Sequence, residues 1–270
     1  MRYYRRFTRA QRIVHVFLML SFVGLALSGM PLLFADQAWA AALARLLGGF
    51  QAAGLIHRAC AVVMVVLFVG HVLHLAWLAL AKGELRRLLW GPDSMVPQPR
   101  DAIDMFLHLK WFLGRGPRPQ FDRWTYWEKF DYWAVFWGMF IIGGSGLLLW
   151  FPVFFAKLLP GWVFNVATLV HGEEALLAVG FIFTIHFFNG HLRPDKFPMD
   201  TVIFTGRISE EELRHERAVQ YERLGREGAL APLQAPPPTL ESRAFGWYVG
   251  GAALALGIVT ICLIVYSVVR

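Results

Sequence analysis

Five apolar runs, each close to 20 residues or longer, constrain this chain more than any other feature: about Ile13–Phe34, Ile56–Ala81, Tyr132–Phe151, Leu169–Asn189 and Phe245–Val269. A hydrocarbon layer about 30 Å thick takes roughly 20 apolar residues of helix to cross. Within lipid every backbone N–H and C=O must be satisfied inside the protein, and a helix does this with its own bonds. The expected fold is therefore an all-α integral membrane protein with five transmembrane helices. Composition agrees, with 57% apolar and 17% charged residues against about 45–50% and about 25% in soluble domains. An ordinary soluble enzyme is excluded. Ala38-Trp39-Ala40 resembles a signal-peptide cleavage site, but the apolar run before it exceeds the 7–15 residues of a signal core, so the first span is expected to be retained.

The net charge of +7 follows from topology. Twenty-two Lys and Arg lie before the first span, between the second and third (Lys82 to Lys129), or between the fourth and fifth (Arg193 to Arg243). Only Arg45, Arg58, Lys157 and Arg270 lie on the opposite side. Basic residues collect on the cytoplasmic side of a membrane. The expected protein is multi-pass in a bacterial inner membrane, with a cytoplasmic N-terminus and both long connections cytoplasmic. No nucleic acid is needed to explain the charge.

Those connections carry structure of their own. Asp101–Phe112 places apolar groups at helical spacing, as an interfacial helix would. Ser209–Arg226 reads as one charged helix with Ser209 as N-cap and Glu212 at the capping-box position. Pro236-Pro237-Pro238 reads as a stiff spacer. The chain thus divides into a four-helix bundle over 1–195 (with the connection 82–130), a charged segment with Pro-rich linker over 196–243, and a fifth span over 244–270. No internal repeat of fixed period is evident. Cys60 and Cys262 lie in apolar runs, and no CxxCH occurs, so the chain carries no c-type haem attachment site.

Ionisable groups are costly in a bilayer and mark function. His15 opens the first span on the cytoplasmic side, and His57 opens the second on the outer side, with His71 and His74 deeper. His171 opens the fourth span, while His186 and His191 stand at its cytoplasmic end. Fourteen residues from His57 to His71 give about 21 Å of rise and a turn about 40° from the same face. Fifteen from His171 to His186 give about 22 Å and about 60°. The second and fourth spans run in the same direction, so their imidazoles form an outer and an inner layer. Neutral imidazole is an axial ligand of haem iron, and two layers suit two haem b groups. Zinc lacks support, since no HExxH or clustered Cys/His spacing appears. Gly24, Ser28 and Gly29 in the first span, and Gly138, Gly143, Gly144, Ser145 and Gly146 in the third, allow close helix packing or room for a macrocycle.

Arg12-Ile-Val-His15, Leu55-Ile-His57 and His171…His186 resemble the membrane cytochrome b subunits of formate dehydrogenases, nickel–iron hydrogenases and thiosulfate reductases, and bacterial cytochrome b561. The resemblance covers about residues 5–195. It implies a four-helix haem-binding bundle, an outer haem on His57 and His171, and an inner haem on His15 and His186. It also implies menaquinone or ubiquinone chemistry near the inner haem. Three features depart from it: the span 4 separation is one residue longer, His71 is extra, and the fifth span with His191–Asp200 has no counterpart. His71 with His57, His171 and His186 resembles instead the two-helix scheme of the cytochrome b/b6 proteins, so the inner partner of His186 is His15 or His71.

Arg58 beside His57, and Arg9, Arg12 and Arg193 near the inner layer, are candidates to pair with haem propionates. Glu173 and Glu174 are either an outer proton network or solvated helix-start carboxylates. Asn189 and His191, with Asp195, Glu128 and Asp131, are candidates for binding quinone and relaying protons. The expected function is electron transfer between the quinone pool and an extracytoplasmic partner, either a multihaem c-type cytochrome or an iron–sulfur or catalytic subunit. A third haem on His71, His74 or His191 is a further possibility. A histidine-bearing transporter and a haem-free structural anchor are the rival classes.

Overall fold

The computed structural model describes residues 1–269; Arg270, one of the four basic residues on the sparse side, lies outside them. Each expected span is a helix: Arg9–Leu33, Phe50–Leu80, Tyr126–Trp150, Trp162–Leu192 and Leu240–Val269. Phe50–Leu80 buries only Ala53 and Met64, while Leu55, Val66 and Leu73 are mostly exposed. A helix with so much bare apolar surface is suited to lipid rather than water. The chain is a multi-pass membrane protein by the length and composition of these five helices.

The chain divides into two compact units, each assembled from separated segments. One comprises residues 13–69, 135–200 and 245 onward. Its core joins Val23, Ala26 and Met30 of the first helix to Val179, Phe183 and Phe187 of the fourth and Ala253, Leu254 and Ile264 of the fifth. The fifth helix, which the resemblance left without a place, is thus part of this core. A Cβ at Gly257 would fall 2.5 Å from Phe187 Cε2 and 2.8 Å from Phe183 Cδ1, so only glycine admits both rings. Gly24 does the same for the first and second helices, since a Cβ there would lie 2.5 Å from Cys60 Sγ. The third and fourth helices are interrupted by π turns at Met139–Gly143, Ile182–His186 and Phe188–Leu192. Each such turn accommodates an extra residue within the helix.

The other unit comprises residues 1–12, 70–134 and 201–244. It contains a three-stranded antiparallel sheet of order β2-β1-β3, with β1 at Tyr3–Arg5, β2 at Arg207–Ser209 and β3 at Gln234–Ala235. Strands of two or three residues are too short to show alternation, which is why the sequence reads as wholly helical. Ser209 does cap the following helix, its Oγ accepting from Glu212 N at 3.2 Å. The expected single helix is two, Glu210–Glu216 and Ala218–Arg226, broken at Arg217. The Arg217 guanidinium donates to Glu128 Oε1 at 2.9 Å, and buried Arg6 stands 3.7 Å from the same oxygen. Pro99–Phe112 is a helix with a Gln98–Asp101 capping box. It leaves Ile103, Phe106 and Leu109 exposed while His108 is buried among Phe121, Tyr126 and Trp127.

Candidate functional site

His57 and His171 lie two turns or more inside their helices, and their rings meet with centres 6.2 Å apart and planes 76° apart. Each ring is held in the same way by the helix before it. Ser28 Oγ donates to the carbonyl of Gly24 at 2.5 Å and lies 3.2 Å from His57 Nδ1. The Leu25 backbone also hydrogen-bonds the His57 ring. In the second half Ser145 Oγ donates to Ile141 O at 2.7 Å and lies 3.3 Å from His171 Nδ1, which is 2.9 Å from Ile142 O. A carbonyl only accepts, and a serine whose one proton is already given away can only accept as well. Both imidazoles therefore carry their proton on Nδ1 and present the lone pair of Nε2. No hydrogen bond engages either Nε2 among the described residues.

Glycine lets each ring approach the helix that holds it closely. A Cβ at Gly29 would lie 3.0 Å from His57 Cε1, and one at Gly146 would lie 2.9 Å from His171 Cε1. The two halves of the bundle thus repeat one device: a carbonyl three residues before a serine, then Ser-Gly, then a histidine on the next helix. Sequence reading sees these small residues as close packing or room for a macrocycle, and not as the seat of a histidine ring. The signal was the shared Ser-Gly step near the ends of the first and third spans.

At the other end, His15 interacts electrostatically with His186 and, less strongly, with His191. The Nδ1 atoms of His15 and His191 are buried and have no hydrogen-bond partner among the described residues. The Phe187 ring centre lies 6.5 Å from His186 and 6.3 Å from His191. The Asp200 backbone hydrogen-bonds His191. His186 closes the π turn Ile182–His186. That turn absorbs one residue, so fifteen residues from His171 to His186 cover the ground of fourteen in a plain α-helix. The longer spacing noted in the sequence has its physical cause here.

His71 is engaged elsewhere: its Nε2 is 2.8 Å from the Tyr132 hydroxyl. His74 stacks on Trp77, with ring centres 5.8 Å apart. Arg58 lies over the Trp150 ring at 5.9 Å, and Arg12 Nε donates to Phe204 O at 2.6 Å. Trp137 Nε1 donates to Glu174. Asn189 sits in the last π turn of the fourth helix and Arg193 directly after it. Glu128 is committed to Arg6, Arg217 and Thr125.

Among the described residues no three His, Cys, Asp or Glu are grouped to hold a metal ion. Haem iron asks less of a protein, since the macrocycle supplies four ligands and two imidazoles complete the set. A metal bonded to two facing imidazole nitrogens at about 2 Å each holds the ring centres roughly 6 Å apart. The ring centres of the outer pair stand at that spacing, 6.2 Å. No family model matches this chain, and no curated protein matches its sequence.

Proposed function

We propose that this chain is a di-haem cytochrome b subunit of a bacterial inner membrane, exchanging electrons between the quinone pool and an extracytoplasmic redox partner. The observation that carries the reading is the His57–His171 pair: ring centres 6.2 Å apart, with each Nδ1 beside a serine oxygen whose own proton goes to a backbone carbonyl. Metal-bound histidines are ordinarily oriented through the other ring nitrogen by a backbone or side-chain acceptor. A proton-relay histidine has no need of two matched acceptors that fix one tautomer.

His15 and His186 are the ligands of the second site in this reading, favoured over His71 because the His71 Nε2 is taken by Tyr132. The buried, partnerless Nδ1 of His15 marks a polar group costly to leave in an apolar interior. When bound, two haems offer a one-electron path across the hydrocarbon layer. The chain's part is to fix the axial imidazoles, exclude water and set the surrounding charge. The basic N-terminus and long connections orient that path with His15 and His186 on the cytoplasmic side.

The test is a pyridine haemochrome spectrum of the purified chain with haem counted per polypeptide. Two b-type haems are expected. A count of zero removes the reading, and a count of one removes its inner half.

A further inference from the structure

The Ser-Gly device gives a register for comparing the two halves of the bundle, and the comparison reaches one pair of residues that the haem reading does not use. His15 stands thirteen residues before Ser28, and Tyr132 stands thirteen before Ser145, with one π turn between. His186 stands fifteen residues after His171 across a π turn, and His71 stands fourteen after His57. The first-and-fourth-helix pair His15 and His186 is therefore matched, within a residue, by the third-and-second-helix pair Tyr132 and His71. Where one set has two imidazoles, the other has an imidazole and a phenol hydrogen-bonded at 2.8 Å with rings edge to face.

We propose that His71 and Tyr132 bind the head group of a membrane quinone and exchange its protons. A quinone has two carbonyl oxygens, which accept hydrogen bonds, on a flat ring with an apolar tail. The mutual hydrogen bond uses one donor, so the neutral pair keeps one N–H or O–H for a quinone carbonyl, and a protonated imidazole adds a second. Both side chains are only partly buried in apolar spans. Trp133 stands edge-on to Tyr132 at 5.9 Å and is fixed through Nε1 to Met95 O at 3.0 Å, forming an aromatic wall. One turn beyond His71, exposed His74 stacks on Trp77, and Lys82 lies 5.1 Å over that indole. This polar sequence leads from the pair to the charged end of the helix and serves as the proton route.

Reduction takes two electrons and two protons, turning two C=O groups into C–OH and reforming the ring as an aromatic diol; oxidation is the reverse. The protons pass through Tyr132 and His71 and are replaced from water by way of His74. The electrons come from, or go to, a b-type haem, and this half of the inference rests on the proposed function. Binding of the head group does not.

The test uses the full chain in lipid nanodiscs, titrated calorimetrically with 2,3-dimethyl-1,4-naphthoquinone and with decylubiquinone. The wild type is expected to bind at least one of them. Tyr132→Phe and His71→Gln should each weaken that binding about tenfold, the measure of one lost hydrogen bond of about 1.4 kcal/mol. Asn189→Ala and His191→Ala should change it less than twofold. No binding by the wild type, or unchanged binding in both pair variants, overturns the site. Loss confined to the Asn189 and His191 variants also overturns it and moves the head group to the end of the fourth helix. A drop to one haem in His71→Gln makes His71 an axial ligand and likewise overturns it. A chain without haem whose quinone binding still falls in Tyr132→Phe keeps this site and removes the proposed function.

Discussion

At His57 and His171 each ring is fixed at Nδ1 and laid against a glycine. His15 and His191 instead carry buried Nδ1 atoms with no hydrogen-bond partner among the described residues, and their neighbour His186 sits in a π turn. The outer rings are oriented by the helices that precede them, through hydrogen bonds local to each pair. The inner ones depend on a distorted helix whose shape is kept by core packing. Orientation by hydrogen bonds fixes a tautomer and a direction together. Orientation by packing fixes a direction and leaves the nitrogen to its ligand.

The largest effects come from removing the imidazoles. His57→Ala or His171→Ala should remove one haem completely and leave the other with its low-spin spectrum. His15→Ala or His186→Ala should do the converse, while His71→Ala keeps both. Optical redox titration with haem counting checks each variant. Two low-spin haems in His57→Ala, or loss of the inner haem in His71→Ala together with its retention in His15→Ala, would replace these pairings.

The histidines and the five spans were legible because hydropathy and ionisable residues in lipid are strong local signals. The devices that aim the histidines were not. Ser28 and Ser145 are ordinary small residues until the histidine of the next helix is seen beside them. The π turn at Ile182–His186 has no composition of its own and showed only as one residue too many between two histidines. The break at Arg217 has no local signal, and the guanidinium there reaches Glu128, 89 positions away in the chain. The three short strands lacked enough residues to alternate. The pairing of His71 with Tyr132 required the third helix to be placed against the second.

If packing holds the inner set, disturbing Gly257 should be felt there and not at the outer pair. Gly257→Leu forces a branched side chain into the space of Phe183, within the π turn that His186 closes, and of Phe187 directly after it. Overpacking of this kind costs about 1–3 kcal/mol. Most of it should appear as a tenfold or greater weakening of the inner haem site, read by haem loss during dilution in detergent. Equal loss of both haems would mean that the fifth helix supports the whole bundle and that the contrast between the two sets is false.

A smaller, opposite effect is expected from Gly29→Ala and Gly146→Ala. The added methyl would stand 3.0 Å or 2.9 Å from a ring carbon, closer than a relaxed contact, so the imidazole must tilt or the helix must move. Both haems should remain, with the outer one altered in its low-spin electron paramagnetic resonance g values and the inner one unchanged. A change in the inner signal alone would break the assignment of these glycines to the outer pair.

The smallest effect isolates the hydrogen bond itself. Ser28→Ala and Ser145→Ala each take one acceptor from an Nδ1–H, at 3.2 Å and 3.3 Å, while the neighbouring Leu25 or Ile142 backbone acceptor stays in place. The ring keeps its tautomer and orientation, so haem content should not change. An acceptor on Nδ1–H makes the imidazole a stronger donor to the metal and favours the oxidised state. Its removal should raise the outer potential. With about 0.5–1 kcal/mol for one neutral hydrogen bond, the rise is about 20–40 mV for a one-electron couple. The inner potential should stay where it is, since neither serine lies at that end of the bundle and the His15 Nδ1 has no hydrogen-bond partner among the described residues. A fall in the outer potential, or an equal shift at both haems, would show that Ser28 and Ser145 act on the helices and not on the rings.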